Sequence, residues 1–323
     1  MAGRRNPLTR NVLYCLTRAF FSVTRILPLP LTRALGIGLA AIAYYCLPRV
    51  KRVGRANLDL AYGETLTGAE KRRILRESVR NLGLVAAEFS HLPGMLAHGI
   101  PPWIQVKGFD LVDGAQGVIL MGAHHGNWEL MLPLTGRLGL KVAAVVRDFD
   151  DPGMNALVSQ VRSVPGVTLI SKKKAMASLL SEIRSGSSIG LLADQNPREN
   201  AAPVTFFGRQ TWASIGPALL AMRAGAPVHP VSITRIDHSR YVLEFYPALE
   251  LVRSGNLIQD LQVNTQRCQD AIETLVRACP GQWLWLHRRW KPRAHLAQVW
   301  EAREKKETSR RHAEISADAR NSS

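Results

Sequence analysis

Cysteine is scarce in this chain. The four cysteines (Cys15, Cys46, Cys268 and Cys279) lie far apart, with no C-x-x-C pair and no group of His and Cys at the spacing of zinc ligands. The cysteine spacing therefore signals neither a disulfide framework nor a structural zinc site. A reducing, cytoplasm-facing location fits best, and we expect no bound metal and no cofactor.

Acidic residues are also few, with 25 Asp and Glu against 42 Lys and Arg and a formal net charge of +17. Residues 1–55 contain ten Lys or Arg and no acid at all. This excess implies an anionic partner, which can be nucleic acid, a membrane surface or a charged substrate. Because the most apolar run lies in the same basic segment, a membrane with anionic lipid is favoured and nucleic acid is not expected.

No apolar run is long enough for a free-standing transmembrane helix. The longest, residues 34–47, would span about 21 Å as a helix, short of the ~30 Å hydrocarbon core. We expect a helix that lies in the interface or inserts partly. A basic stripe of Arg10, Arg18, Arg25 and Arg33 supports membrane contact, with an ordinary solvated face as the alternative. Charge on both sides of the run and the lack of a small-residue cleavage site argue against a removable signal peptide.

The remainder of the chain alternates strand-like and helix-like segments. The predicted strands are "WIQV", "GVILMGA", "KVAAVVR", "VTLI", "SIGLLAD", "VHPVSITR" and "YVLEFY". Helices are predicted near 67–91, 127–138, 153–163, 172–185, 213–224 and 257–279, the first opened by the capping box Thr67-Gly-Ala-Glu70. This alternation predicts an α/β fold whose mixed, mainly parallel sheet is flanked by helices, with an antiparallel pair joined by the turn at 235–240.

Three parts are predicted along the chain: a basic, apolar membrane-associated helical segment (1–55), an α/β domain (56–293) and a charged tail (294–323). The tail reads as a solvated helix that ends in disorder. Residues 186–190 satisfy G-x-S-x-G, but a helix precedes them and a strand follows, the reverse of a nucleophile elbow. Gly186 is therefore interpreted as a helix C-cap.

The segment "GAHHGNWELM" (122–131) follows a buried strand, and ligands of α/β sheets gather at the carboxyl ends of strands. On one continuous helix, positions five apart lie about 140° around the axis and cannot meet. His124 and Glu129 therefore pair only if His124 lies in a loop and Glu129 in the first helical turn, with Gly126 and Asn127 forming the bend. The alternative is that His124 is a loop histidine whose hydrogen bonds are made within the protein, and that Glu129 only begins the helix.

The spacing of His124 and Glu129 resembles the H-x4-D/E signature of membrane acyltransferases, and "HHGNWE" is similar to the form found in the lipid A biosynthesis lauroyl/myristoyl acyltransferase family. Other segments match that family in order between about residue 10 and residue 293: "RANLDLAY", "VVRDFDDP", "GLLADQN", "VTFFGR", "GPALLAMRAGAPVHPV" and "WLWLHRRWKPR". The resemblance implies a glycerol-3-phosphate-acyltransferase-like fold. It also implies transfer of a fatty acyl chain from acyl-carrier protein or coenzyme A to a hydroxyl of a phosphorylated glycolipid, a lipid A precursor, at the cytoplasmic face of the inner membrane.

In that reaction His124 is expected to act as general base, with Glu129 orienting its ring. The predicted substrate-binding residues are Arg147, Asp194, Gln195, Arg209, His125 and Asn127. The backbone amides of Gly126 and Asn127, or Arg147, are candidate donors to the oxyanion. Arg147 could instead pair with a neighbouring aspartate, and Asp194 and Gln195 could cap the next loop.

Several alternatives remain open on the sequence. The acceptor could be a lysophospholipid, an ornithine lipid or a phosphoinositide mannoside, although "ADQN", where glycerolipid acyltransferases carry E-G-T-R, argues against lysophosphatidate. More remotely, the chain could be a non-catalytic, basic membrane- or nucleic-acid-binding scaffold. Trp283 and Trp285 fit core packing and membrane contact equally well. The "FFGR" stretch fits a core-packed turn or the wall of an acyl channel.

Overall fold

The computed structural model describes residues 7–146, 151–171 and 175–321. The helices are α1 (Pro7–Ile26), α2 (Leu29–Cys46), α3 (Pro48–Tyr62), α4 (Gly68–Phe89), α5 (Leu92–Met95), α6 (Trp128–Arg137), α7 (Pro152–Arg162), α8 (Ala175–Arg184), α9 (Gly216–Ala224), α10 (Leu257–Ala278) and α11 (Ala294–Asn321). The strands are β1 (Ile104–Lys107), β2 (Ile119–Gly122), β3 (Val142–Val146), β4 (Val167–Ser171), β5 (Ser188–Leu192), β6 (Ala201–Phe206), β7 (Arg209–Ser214), β8 (Val228–Arg235) and β9 (Tyr241–Phe245).

Seven strands form one sheet in the order β1-β9-β8-β2-β5-β3-β4. Strands β8, β2, β5, β3 and β4 are parallel to one another, and β9 runs antiparallel to β8. The predicted mainly parallel sheet, its seven strands and its antiparallel pair are confirmed. Since β2 and β5 are parallel neighbours, the loops that follow them open at the same edge of the sheet.

Local signals in the sequence place the helix ends well. The capping box at the start of α4 forms as predicted: Thr67 N–H donates to Glu70 Oε2 at 2.7 Å, and Glu70 N–H donates to Thr67 Oγ1 at 3.3 Å. Gly186, two residues after the end of α8, has a left-handed φ of +88°, and Ser188 is buried in β5. The G-x-S-x-G match is therefore a helix end followed by a strand, as interpreted.

The hairpin β6–β7 was not predicted as a pair of strands. Its turn uses left-handed backbone at Phe207 (φ 52°) and Gly208 (φ 68°), and Phe206 and Phe207 are both buried in the main core. The "FFGR" stretch is therefore a core-packed turn and does not line the cleft described below.

The N-terminal helices pack on the α/β domain through small residues. A Cβ placed on Gly36 would lie 2.4 Å from the Gly83 carbonyl oxygen, so α2 and α4 approach at a distance that only glycine allows. Helix α2 is longer than the predicted run, with 18 residues, and its length and composition suffice to cross a membrane. The part of α2 turned away from the protein exposes Leu39, Ile42 and Tyr45.

The charged tail is helical over its described part, as α11. Leu296 and Trp300 are buried, Trp300 packing with Leu261 of α10, and Glu307 accepts the Leu257 N–H at 3.3 Å. This corrects the expectation that the folded domain ends at residue 293, because Trp300 supplies apolar area to the core. The division of the chain at residue 55 stays a prediction.

Candidate active site

The site forms where β2 and β5 end side by side. His124 follows β2 and Asp194 follows β5, and the Ala193 N–H donates to the Gly122 carbonyl at 3.1 Å, which joins the two strand ends. His124 Nδ1 lies 2.8 Å from Asp194 Oδ1, and the His124 backbone N–H donates to Oδ2 at 3.1 Å. The Trp283 indole N–H donates to the same Oδ2 at 2.8 Å. The Asp194 carboxylate therefore fixes both the loop and the imidazole ring.

Each member of this pair sets the ionisation of the other. Burial of the His124 ring opposes its protonation, but the charge of Asp194 and its hydrogen bond outweigh burial and raise the pKa of His124. Burial also disfavours the charged form of Asp194, yet the charge of His124 and the bonds from His124 and Trp283 lower the pKa of Asp194 to about 2. Asp194 is thus an anion at neutral pH, and it holds a proton on Nδ1 while Nε2 remains available as an acceptor.

Glu129 lies where the sequence places it, but it has a different partner. His124 is in the loop and Glu129 is in the first turn of α6, as predicted. The Glu129 carboxylate accepts two hydrogen bonds from Arg162 of α7, at 2.8 and 3.0 Å, and one from the Trp128 indole at 3.2 Å. The prediction that Glu129 orients the ring is corrected, because Asp194 occupies Nδ1 and the fork of Arg162 engages both oxygens of Glu129.

His124 and Glu129 open onto a large cleft of about 1820 Å³, larger than a pocket for a single small ligand. The Trp128 ring packs edge-on against the His124 ring at 5.3 Å between centroids, and Gln195 Nε2 lies 3.4 Å from His124 Nε2. Apolar side chains from the sheet, α6 and α9 line much of the cleft. Its basic lining side chains are Arg162, Arg198, Arg223, Arg293 and Arg303.

The other predicted site residues do not share one location. Gln195 lines the cleft as predicted, and Arg147 lies outside the described residues. Asn127 is fully buried and donates to Glu88 Oε2 at 2.6 Å, so it anchors the loop and does not face a substrate. Arg209 is exposed on the hairpin, where its Nε donates to the Leu60 carbonyl at 3.4 Å.

His125 was expected to line the pocket and is instead buried behind it. Its Nε2 lies 3.1 Å from the Cys279 carbonyl oxygen, and burial lowers its pKa to about 4. The Gly126 N–H, a candidate oxyanion donor, is occupied by the Gln282 carbonyl at 3.1 Å. The predictions for His125 and Gly126 are therefore corrected, since both residues are engaged by backbone carbonyls of residues 279–282.

The tryptophans near the end of the domain belong to the core. Trp283 and Trp285 are at most 1 % exposed, with ring centroids 4.7 Å apart, and Trp283 bonds to Asp194. Arg289 between them and α10 is fully buried and donates to Gln269 Oε1 at 2.9 Å. Core packing is thus the correct alternative for this stretch, and membrane contact through Trp283 and Trp285 is excluded by their burial.

Three contributors to the site were not singled out from the sequence as such. Arg162 ends a helix that carries no other signal, Trp128 looks like an ordinary helix-start residue, and Trp283 lies far along the chain. Asp194 was singled out, but as a pocket-lining residue. Its position directly after a strand was the available signal, and the pairing of β5 with β2 is what makes it the partner of His124.

Comparison with known proteins decides the family. The sequence profile of the bacterial lipid A biosynthesis acyltransferases matches residues 4–292. The chain belongs to that family. It is 26 % identical over 274 residues to the lipid A biosynthesis palmitoleoyltransferase of Escherichia coli, covering 83 % of this chain and 87 % of that protein. This family member is also similar to the E. coli lipid A biosynthesis lauroyltransferase, with 23 % identity and the same coverage.

A third relative has a name that specifies another acceptor. The phosphatidylinositol mannoside acyltransferase of Mycobacterium tuberculosis is 26 % identical over 237 residues, covering 71 % of this chain and 65 % of that protein. Relatives at similar identity thus carry names that specify different acyl chains and different lipids. Membership of the family establishes an acyltransferase.

Proposed function

We propose that this protein transfers a fatty acyl chain from an acyl thioester to a hydroxyl of a lipid A precursor, with His124 as general base and Asp194 as the group that positions it. The observation that carries the proposal is the His124–Asp194 pair, whose Nδ1–Oδ1 distance is 2.8 Å, at the wall of a large, partly apolar cleft. A hydroxyl with a pKa far above 7 needs a base as it attacks, and a neutral imidazole supplies one.

The proton transfers follow from this geometry. His124 Nε2 accepts the proton of the acceptor hydroxyl as its oxygen bonds to the thioester carbon. The C–S bond then breaks, and the imidazolium returns the proton to the departing thiolate. The Asp194 carboxylate stabilises the imidazolium in between and stays ionised, in keeping with its low pKa. The described site needs no acyl-enzyme intermediate for this step, because the acceptor oxygen is itself the nucleophile.

The oxyanion of the tetrahedral intermediate requires a hydrogen-bond donor. The Gln195 side-chain amide nitrogen lies 3.4 Å from His124 Nε2 and 3.5 Å from Nδ1, and Gln195 lines the same cleft as the ring. We assign Gln195 to this donation. Arg162, fixed by Glu129 in the same cleft, is placed to bind an anionic group of a substrate with its free face.

The positive charge supports the remaining partners of the proposal. A phosphorylated glycolipid and an acidic acyl-carrier protein are both anionic, and a net charge of +17 favours association with either. We place the protein at the cytoplasmic face of the inner membrane, with the exposed apolar face of α2 and the basic α1 in contact with anionic lipid. The name of the mycobacterial relative makes a mannosylated phosphoinositide the second candidate acceptor.

Mass spectrometry of lipids from cells that overproduce the protein tests the acceptor. We expect a gain of one acyl chain on lipid A, and no gain in matched cells that produce the His124→Ala variant. A gain confined to phospholipids or glycolipids of another class would overturn the proposed acceptor. A gain on lipid A that persists with His124→Ala at equal protein level would overturn the mechanism.

A further inference from the structure

One glycine of the central sheet lines the cleft without a backbone reason to be glycine. Gly190 lies in the middle of β5, paired with Leu120 of β2 on one side and with Ala144 of β3 on the other. All three residues line the cleft. A strand interior disfavours glycine, and where one occurs it marks a bulge, a bend or the close approach of a ligand.

Gly190 lines the cleft on the side of α6, where a small side chain would fit without a clash. A Cβ at this position would lie 3.6 Å from Val142 Cγ1, 3.7 Å from Leu132 Cδ1 and 3.8 Å from Ala144 Cβ, all ordinary van der Waals separations. Neither close backbone packing nor a left-handed φ therefore requires glycine here. What the missing side chain provides is room between the sheet and α6.

This room is continuous with the catalytic pair along the strand. Gly190 precedes Asp194 by four residues, so it lies about 13 Å below the carboxylate at ~3.3 Å per strand residue. That depth is about the length of an extended lauroyl chain. Leu120, Met131, Leu132, Thr135 and Val142 line the cleft on the same side of the sheet, and four of these five are apolar.

We infer that the acyl chain enters the space between the sheet and α6 and that Gly190 sets how long a chain this space accepts. The inference rests on the proposed function, because it takes His124 as the point where the thioester carbon lies. A larger side chain at Gly190 fills the floor of the channel and excludes the methylenes of longer chains. Truncation of Leu132 opposite Gly190 enlarges the same space.

The test compares Gly190→Leu and Leu132→Ala with the wild type, each offered an equimolar mixture of decanoyl, lauroyl, myristoyl and palmitoyl acyl-carrier protein with a lipid A precursor. A buried methylene contributes about fourfold to binding. We expect Gly190→Leu to reduce transfer from the longest accepted donor, relative to decanoyl transfer, by about tenfold or more. Leu132→Ala should shift the profile toward longer chains.

Two further variants complete the design. Gly190→Ala adds one methyl group without a clash, so it folds and shifts the profile in the same direction by a smaller factor. Leu219→Ala is the matched control for Leu132→Ala, because both leucines are half-buried and line the cleft, but Leu219 belongs to α9 on the opposite side of the sheet. Its profile should equal that of the wild type.

A second readout separates this inference from the proposed function. Decanoic, lauric, myristic and palmitic acids displace a fluorescent fatty acid from the folded protein, and their relative affinities report the channel without any transfer. An unchanged preference in Gly190→Leu and Gly190→Ala in both assays would overturn the role of Gly190 while leaving the reaction intact. A chain-length profile changed by Leu219→Ala but not by Leu132→Ala would place the acyl chain on the other side of the sheet. That result would also overturn the role of Gly190. If the wild type and every variant lack transfer, while the fatty-acid preference of the Gly190 variants still shifts, the proposed function alone would be overturned.

Discussion

His124 and Asp194 are held together by two hydrogen bonds, one from the ring and one from the backbone N–H of His124, both to the same carboxylate. Asp194 thereby determines the tautomer of the ring as well as its position. Asp194→Asn keeps the shape of the carboxylate and removes its charge, and an amide can also favour the wrong tautomer. We expect kcat to fall on the order of 10²- to 10⁴-fold, the contribution of a positioned general base. Steady-state kinetics of the folded, membrane-bound variant tests this expected loss. A near-normal kcat would exclude Asp194 as the positioning group.

The pH dependence of the reaction follows from the raised pKa of His124. The base works only when neutral, so kcat/KM should rise as the pH rises through the His124 pKa. That acid limb should lie above the value of about 6.5 for an unperturbed histidine. In Asp194→Asn burial remains and the attractive charge is lost, so the limb should move to lower pH. A limb at the same pH in both proteins would show that the carboxylate does not control the ring.

Glu129 is expected to act through Arg162. Glu129→Gln and Arg162→Met should each lower kcat/KM by about 10- to 100-fold, the effect of losing hydrogen bonds between charged groups. Because each residue positions the other, the double variant should be little worse than either single variant. Glu129→Gln should move the acid limb much less than Asp194→Asn does. If it moves the limb equally, and if Arg162→Met is as active as the wild type, Glu129 acts directly on the ring.

Stability depends on a buried ion pair behind the site. Glu88 of α4 is fully buried and paired with Arg235 of β8 through two bonds, at 2.8 and 2.9 Å, while also accepting the bond from Asn127. Glu88→Gln leaves the Arg235 charge buried without its partner. We expect the free energy of unfolding to fall by about 3 to 5 kcal/mol.

Denaturant titration of Glu88→Gln beside Glu77→Gln measures this loss. Glu77 lies on the same helix, and its pair with Arg73 is exposed, so its substitution should change stability by ~0.5 kcal/mol or less. Equal stability of the two variants would contradict the structural role of Glu88.

Membrane contact through the basic N-terminal helices predicts a dependence on lipid charge. Arg18 and Arg25 are exposed on α1. Their joint substitution by Gln should weaken binding to vesicles that contain anionic lipid by about 30-fold, since each basic residue near the surface contributes ~1 kcal/mol. Sedimentation with vesicles of graded phosphatidylglycerol content measures the effect. A control with Arg184→Gln and Arg253→Gln, which changes the net charge equally, should bind as the wild type does. Equal losses in both variants would mean that net charge and not α1 is responsible.

The sequence by itself determined the seven strands of the main sheet, most of the helices that cover it, and His124 as one half of the proposed catalytic pair. Local signals suffice for these features: strands appear as short apolar runs, and the Thr67–Glu70 box begins a helix. The five-residue separation of His124 and Glu129 requires a bend between them. The turn at Phe207-Gly208 is also a local feature. The two strands that it joins, β6 and β7, were nevertheless missed, because the hairpin lacks the usual alternation of apolar and polar residues.

Only the tertiary structure decided which carboxylate meets the histidine. Asp194 lies 70 residues beyond His124, and nothing local states that β5 adjoins β2, because strand order depends on how helices cover the two faces of the sheet. Glu129 lies near in sequence and turns to Arg162, another residue distant along the chain. The same non-local packing buries His125 and Asn127 and places Gly190 in the wall of the cleft. His124, Glu129 and Asp194 could thus be singled out in advance, whereas their pairing is a property of the assembled sheet.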